Sequence, residues 1–192
     1  LEHCGSDARQ ANELARQAGQ PELEAATQIT LGAVALECAL NLADVTLTLR
    51  GVARGVRARG PLGCRAAYRQ FVACMAGETR VAGRFDLIDT APTERATRAY
   101  LATWQAVAAA LFRDWKLALR EARSAAALLD SVAGHHVGYL QRWVHALALC
   151  TALRSADEAG RDRLSAELQP LLDWLARRAA DGHQLHRQVS AE

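Results

Sequence analysis

Lysine is almost missing from this chain: Lys116 stands alone, and the remaining 22 of the 23 basic residues are arginine. A bias this general reads as base-composition drift in a GC-rich genome rather than as chemistry. Aromatic residues make up only 5% of the chain, and alternating Val, Ile and Thr runs are few, which argues against a sheet-built core. The five cysteines, Cys4, Cys38, Cys64, Cys74 and Cys150, are odd in number and scattered, with no Cys-x-x-Cys pair. That pattern speaks against a disulfide framework and fits buried structural thiols in a reduced, cytoplasmic setting. No phosphate-binding Gly-x-x-x-x-Gly-Lys-Ser/Thr, no Gly-x-Gly-x-x-Gly, no His-Arg-Asp and no His-Glu-x-x-His occurs. The net charge of +2 is too small to announce a nucleic-acid protein. No signal-peptide pattern precedes the first expected helix. Leu1 opens the chain and Met75 is its one methionine, so we expect a piece of a longer protein.

What is present is alanine and leucine, in a chain that is 51% hydrophobic by residue. These are strong helix formers, and 192 residues suffice to bury a sizeable core. The longest apolar run, Leu31 to Leu49, resembles a membrane span in length but contains Glu37, Asn41 and Asp44. Each acidic group would cost about 2.5–3.5 kcal/mol at a bilayer centre. With Thr30 and Thr48 these residues form a polar stripe at helical spacing, so the run is expected to be an amphipathic, mostly buried helix.

A first helix is expected from about Ser6 to Ala18, with Ser6 and Asp7 as N-cap residues and Gly19 as the closing glycine. Pro21 suits the first turn of a second helix that continues to about Arg50. Gly51 to Gly63 carries four glycines (Gly51, Gly55, Gly60, Gly63) and Pro61, and ends it. A third helix covers roughly Cys64 to Ala76, closed by Gly77, and residues 78–91 read as a loop. A fourth follows Pro92 and runs to Phe112. A fifth runs from Asp114 to Asp130, with Trp115, Ala118, Leu119, Ala122, Ala126 and Leu129 on one face. A sixth covers Gly138 to Leu153. Ser155-Ala156-Asp157-Glu158 has the pattern of a capping box opening a seventh. Pro170 falls inside that helix and predicts a kink or a break. A last helix is expected near His183. Short turns between so many helices predict antiparallel neighbours, and alanine faces permit close approach.

The segment from Ala99 to Ala126, an apolar helix, a tight turn at Phe112-Arg113-Asp114 and an immediate second helix, resembles a tetratricopeptide hairpin. Two further stretches extend the likeness. Tyr68 to Thr79, followed by Phe85-Asp86, resembles the "Leu-x-Gly-x-Thr … Ser-Phe-Asp" segment of large bacterial signal-transducing P-loop ATPases of the STAND/AAA type, fused to sensor kinases. Trp174-Leu175-Ala176, then His186, then Ala191-Glu192 is similar to a tryptophan- and histidine-bearing segment of the same proteins. Ala179-Ala180-Asp181-Gly182 stands where those proteins have Pro-x-Asn-Phe. The resemblance implies an all-α fold, a stack of antiparallel helical hairpins in an α-α superhelix. It would be one helical repeat domain over 1–192, with the first helices in 1–60 and the better-matched repeats in 64–192. It further implies a non-enzymatic interaction and signal-relay scaffold, any ATPase or kinase activity lying in other domains.

Candidate sites are few. Arg50, Arg54, Arg57, Arg59, Arg65 and Arg69 form the one strong charge run, with no acidic residue between Asp44 and Glu78. It is either a solvated face or a docking patch for an acidic protein partner, a flanking domain or an external protein. Nucleic acid is disfavoured because no aromatic interleaves the run before Tyr68. His135, His136 and His145 gather near one turn, and His183 and His186 lie three apart, but no matching cysteine spacing supports a metal site. No cofactor, metal or membrane partner is expected. Trp104, Trp115, Trp143 and Trp174, with Ala118 and Ala122, read as hairpin-packing positions. The alternative reading is a small-ligand sensor whose pocket is lined by Trp104, Trp143 and Tyr139. Homodimerisation through exposed helical ends stays open in either case.

Overall fold

The computed structural model describes residues 2–20, 62–86 and 93–180, together with Leu23, Glu24, Thr27, Thr30 and Leu31. Among the described residues every regular element is helical and none is a strand. The elements are α1 (Glu2–Gln17), α2 (Leu62–Met75), α3 (Arg95–Leu111), α4 (Trp115–Ala126), a 3-10 turn (Leu129–Val132), α5 (His136–Leu153) and α6 (Glu158–Ala180). No helix among the described residues is long and apolar enough to cross a membrane. The second expected helix and the glycine-rich stretch after it lie largely outside the described residues. So does the last expected helix near His183.

Helix ends follow backbone chemistry. Gly19 and Gly77 adopt φ of 62° and 73°, and each closes its helix with a bond reaching back five residues, Gln20 N to Ala15 O and Glu78 N to Ala73 O. α3 ends the same way, with Asp114 N donating to Ala109 O at 2.8 Å, but the left-handed position is held by Arg113, φ 63°. Asp114 then caps α4, its Oδ1 accepting from Leu117 N at 3.1 Å. One residue therefore ends one helix and starts the next, which is why the α3–α4 link is so short.

Several expected boundaries are corrected. α1 begins at Glu2, so Ser6 and Asp7 are interior positions; four further residues extend it, and Gly5 within them costs only about 1 kcal/mol against alanine. α4 stops at Ala126, and the chain tightens into the 3-10 turn before Asp130 can join it. α6 is capped by Asp157, whose Oδ1 accepts from Gly160 N at 2.8 Å; Ser155 instead donates to Ala152 O and belongs to the preceding turn. Pro170 does not break α6, which continues through it to Ala180. Proline removes one backbone donor, and the neighbouring turns hold the helix across that gap.

The core is built from small residues. Ala106 of α3, Ala122 of α4 and Val144 of α5 share one fully buried cluster; Ala109, Ala118 and Ala148 share the next. As the numbers rise along α3 and α5 they fall along α4, so α4 runs antiparallel to both and α3 runs parallel to α5. α6 lies antiparallel to α5, with Leu149 and Leu168 in one cluster and Tyr139 beside Trp174 near the far end. Alanine at the contact lets helix axes come close, toward the short end of the usual ~8–10 Å range. A larger aromatic cluster joins α2 to α3: Tyr68 and Phe71 stand 5.4 Å and 4.8 Å from Trp104, ring to ring. α1 has its own contact, Thr27 Oγ1 donating to Asn12 Oδ1 at 3.1 Å after the chain has turned back at Gly19.

The loop after α2 is pinned to the α3–α4 turn. Gln105 donates to Gly83 O and accepts from Phe85 N, both at 2.6 Å. Gly83 has φ 76°, and a Cβ there would lie 2.9 Å from Phe112 Cβ. Nothing in the local pattern of Gln105 announces this role; it appears only once the loop is laid over α3.

Candidate functional site

Two features bring together side chains distant in sequence. The first is a polar network across α4, α5 and α6. The Glu167 carboxylate accepts from Arg123 Nε at 2.9 Å and Nη2 at 2.6 Å, and pairs with His145 Nε2 at 2.8 Å. Gln141 donates to Ala122 O at 2.8 Å and lies 3.4 Å from His145 Nδ1. With His145 neutral, its Nε2 proton faces Glu167 and its Nδ1 accepts from the Gln141 amide, while Gln141 Oε1 is buried with no hydrogen-bond partner among the described residues. Burial pushes the His145 pKa below its ordinary value, against the opposing pull of Glu167. Glu167 is held below the usual carboxylate range, first by the Arg123 hydrogen bond. His145 is 5% exposed, while Arg123 and Glu167 reach the surface, so the network braces three helices from the core outward.

The second feature is a cavity of about 570 Å³ at the end of the bundle where α4 hands over to α5. It is lined by the 3-10 turn, by His135 and His136, by Tyr139 and Arg142 of α5, and by Trp174 and Arg178 of α6. The Arg142 guanidinium carbon lies 4.5 Å from the Trp174 ring centroid and that of Arg178 lies 5.5 Å from it. Arg142 Nη1 donates to Gly138 O at 2.7 Å. Burial lowers the Arg142 pKa, and the positive charge of Arg178 adds to that. His135 Nδ1 sits 2.8 Å from Tyr100 OH. A second cavity, about 510 Å³, lies at the opposite turns beside Trp115 and Lys116.

The residues expected from sequence distribute unevenly. Arg50, Arg54, Arg57 and Arg59 lie outside the described residues; Arg65 is in α2, and Arg69 is exposed there. Trp104, Ala118 and Ala122 are buried, whereas Trp115, Trp143 and Trp174 are half-buried. Neither of the two cavities joins Trp104, Trp143 and Tyr139. Trp104 is locked against α2 and Trp143 packs beside Val144, so only Tyr139 reaches the cavity, where Trp174 is its partner. The three clustered histidines separate: His135 and His136 face the cavity, while His145 enters the buried brace. No group of three metal-ligating side chains occurs among the described residues.

Of the cysteines, Cys74 is buried and Cys150 exposed, which corrects the expectation of uniformly buried thiols. Burial raises the Cys74 pKa, partly offset by Thr79 and the Gly83 backbone, opposite to what a nucleophile needs.

Arg142 and Arg178 had no sequence signal as a pair, since they come from different helices and no spacing relates them. No family model, no curated protein and no solved structure matches this chain.

Proposed function

We propose that the chain is a non-enzymatic scaffold of tetratricopeptide type, a superhelical interaction and signal-relay segment of a bacterial signal-transducing ATPase or sensor kinase. The observation that supports this reading is the repeated packing sense: α3 with α4, then α5 with α6, each pair antiparallel and joined by a short turn, with α3 parallel to α5. Stacked units of this kind contact mainly their neighbours, so a small change at one interface propagates along the array. The partner is a protein domain, and the arginine run from Arg50 to Arg69 is its docking face.

The test is binding of the chain to the separately expressed flanking domains of its parent protein at low and high salt. Salt-sensitive binding that is lost when Arg50, Arg54 and Arg57 are changed to Glu supports the relay. Absence of binding to every flanking domain overturns it. The cavity beside Trp174 favours the second reading, a helical small-ligand sensor.

A further inference from the structure

The cavity between the α4–α5 turn and α6 gathers positive charge without an acidic partner. Arg142 and Arg178 both rest on Trp174, and among the described residues neither has a carboxylate within ion-pair distance. The carboxylate on the cavity wall, Asp130, gives both oxygens to Arg95, at 2.8 Å and 2.9 Å, and so is already neutralised. Two guanidinium groups on one indole repel each other. The ring quadrupole attracts each cation but does not cancel their mutual repulsion.

Arg142 is the more telling of the two. It is half-buried and spends one of its five donors on Gly138 O. The donors that remain have no protein acceptor among the described residues. Placing a cation in a partly desolvated wall costs free energy unless an anion meets it. Arg178 is exposed on the last turns of α6 and brings a second fork of donors to the same ring. Guanidinium forks match phosphate and carboxylate oxygens in geometry as well as charge. The volume, about 570 Å³, falls within the range of small-molecule sites.

We propose that this cavity binds a small organic dianion, a phosphate monoester or a dicarboxylate, whose two charges are met by Arg142 and Arg178 while Tyr139 and His136 flank its body. The site is independent of the docking face assigned to the arginine run, and either can fail without the other.

The test is isothermal titration calorimetry of the whole chain with phenyl phosphate, phthalate and inorganic phosphate as probes. One site per chain is expected. Preference for phenyl phosphate assigns the phosphate source, and preference for phthalate assigns the dicarboxylate; either supports the site. Arg142→Gln and Arg178→Gln should each weaken binding by about tenfold or more, as loss of a charge-assisted fork requires. Arg178 is exposed, so its variant keeps the test valid even where Arg142→Gln fails to fold. Arg177→Gln, one residue away but off the cavity wall, should leave binding unchanged. No heat from any probe up to about 10 mM, or equal weakening by Arg177→Gln and Arg178→Gln, overturns the proposal.

Discussion

Replacing Glu167 tests whether the three-helix brace carries stability. Its carboxylate serves two partners of very different exposure. Arg123 has a side chain 48% exposed, so that ion pair is screened and contributes about 0.3–1 kcal/mol. His145 has a side chain only 6% exposed, and its Nε2–H has no other acceptor among the described residues. Leaving a buried donor unsatisfied costs about 1–3 kcal/mol. Glu167→Ala should therefore destabilise by about 2–3 kcal/mol, since both partners are lost. Arg123→Ala should lose no more than about 1 kcal/mol. Glu167→Gln retains an oxygen for His145 and should fall between the two. Urea titration followed by far-ultraviolet circular dichroism reads these differences, and for a chain of this size about 2 kcal/mol corresponds to roughly 4–8 °C in Tm. A Glu167→Ala variant no less stable than Arg123→Ala would refute the reasoning, because it would show that His145 finds a partner as good elsewhere.

The same network sets a pH dependence. The His145 pKa is lowered by folding from an ordinary 6.5, so below about that pH the unfolded chain takes up the proton first and stability falls. Glu167, lowered from 4.5, extends the loss as pH drops through the carboxylate range. Urea midpoints measured from neutral pH downward should decline, and His145→Gln should flatten the upper part of that decline; an unchanged slope would contradict the assignment. Arg113→Gly removes a side chain from a left-handed position and should raise the Tm, by the equivalent of up to about 1 kcal/mol. Gly83→Ala should destabilise by about 1–3 kcal/mol, because φ is 76° and the new Cβ meets Phe112 at 2.9 Å. A thermal melt of each variant checks both signs.

Much of the fold is local and was legible as such. Alanine and leucine at helical spacing, Gly77 at a helix end and the Phe112-Arg113-Asp114 turn each state their role within a few residues, because capping and propensity are short-range. Where expectation failed, two local signals competed. Ser155 and Asp157 both offer a cap oxygen, and only the path of the chain decides that Asp157 takes the role. Ser6 and Asp7 offered a start that the helix passed through. Tryptophans as packing residues could be anticipated in kind, but their neighbours could not: Trp104 meets Phe71, whereas Trp174 meets two arginines.

The sequence by itself determined that the regular elements among the described residues are helices, since helix formation depends on backbone bonds and side-chain entropy within one or two turns. It also determined where most helices stop. Only the tertiary structure decided which polar groups meet. Arg123 and Glu167 are 44 residues apart and His145 is 22 from Glu167, and Arg142 reaches Trp174 from another helix. Those meetings depend on the rotation of each helix about its axis and on its register against the next. Both are set by how the alanine faces pack, and no periodicity within a single helix encodes them.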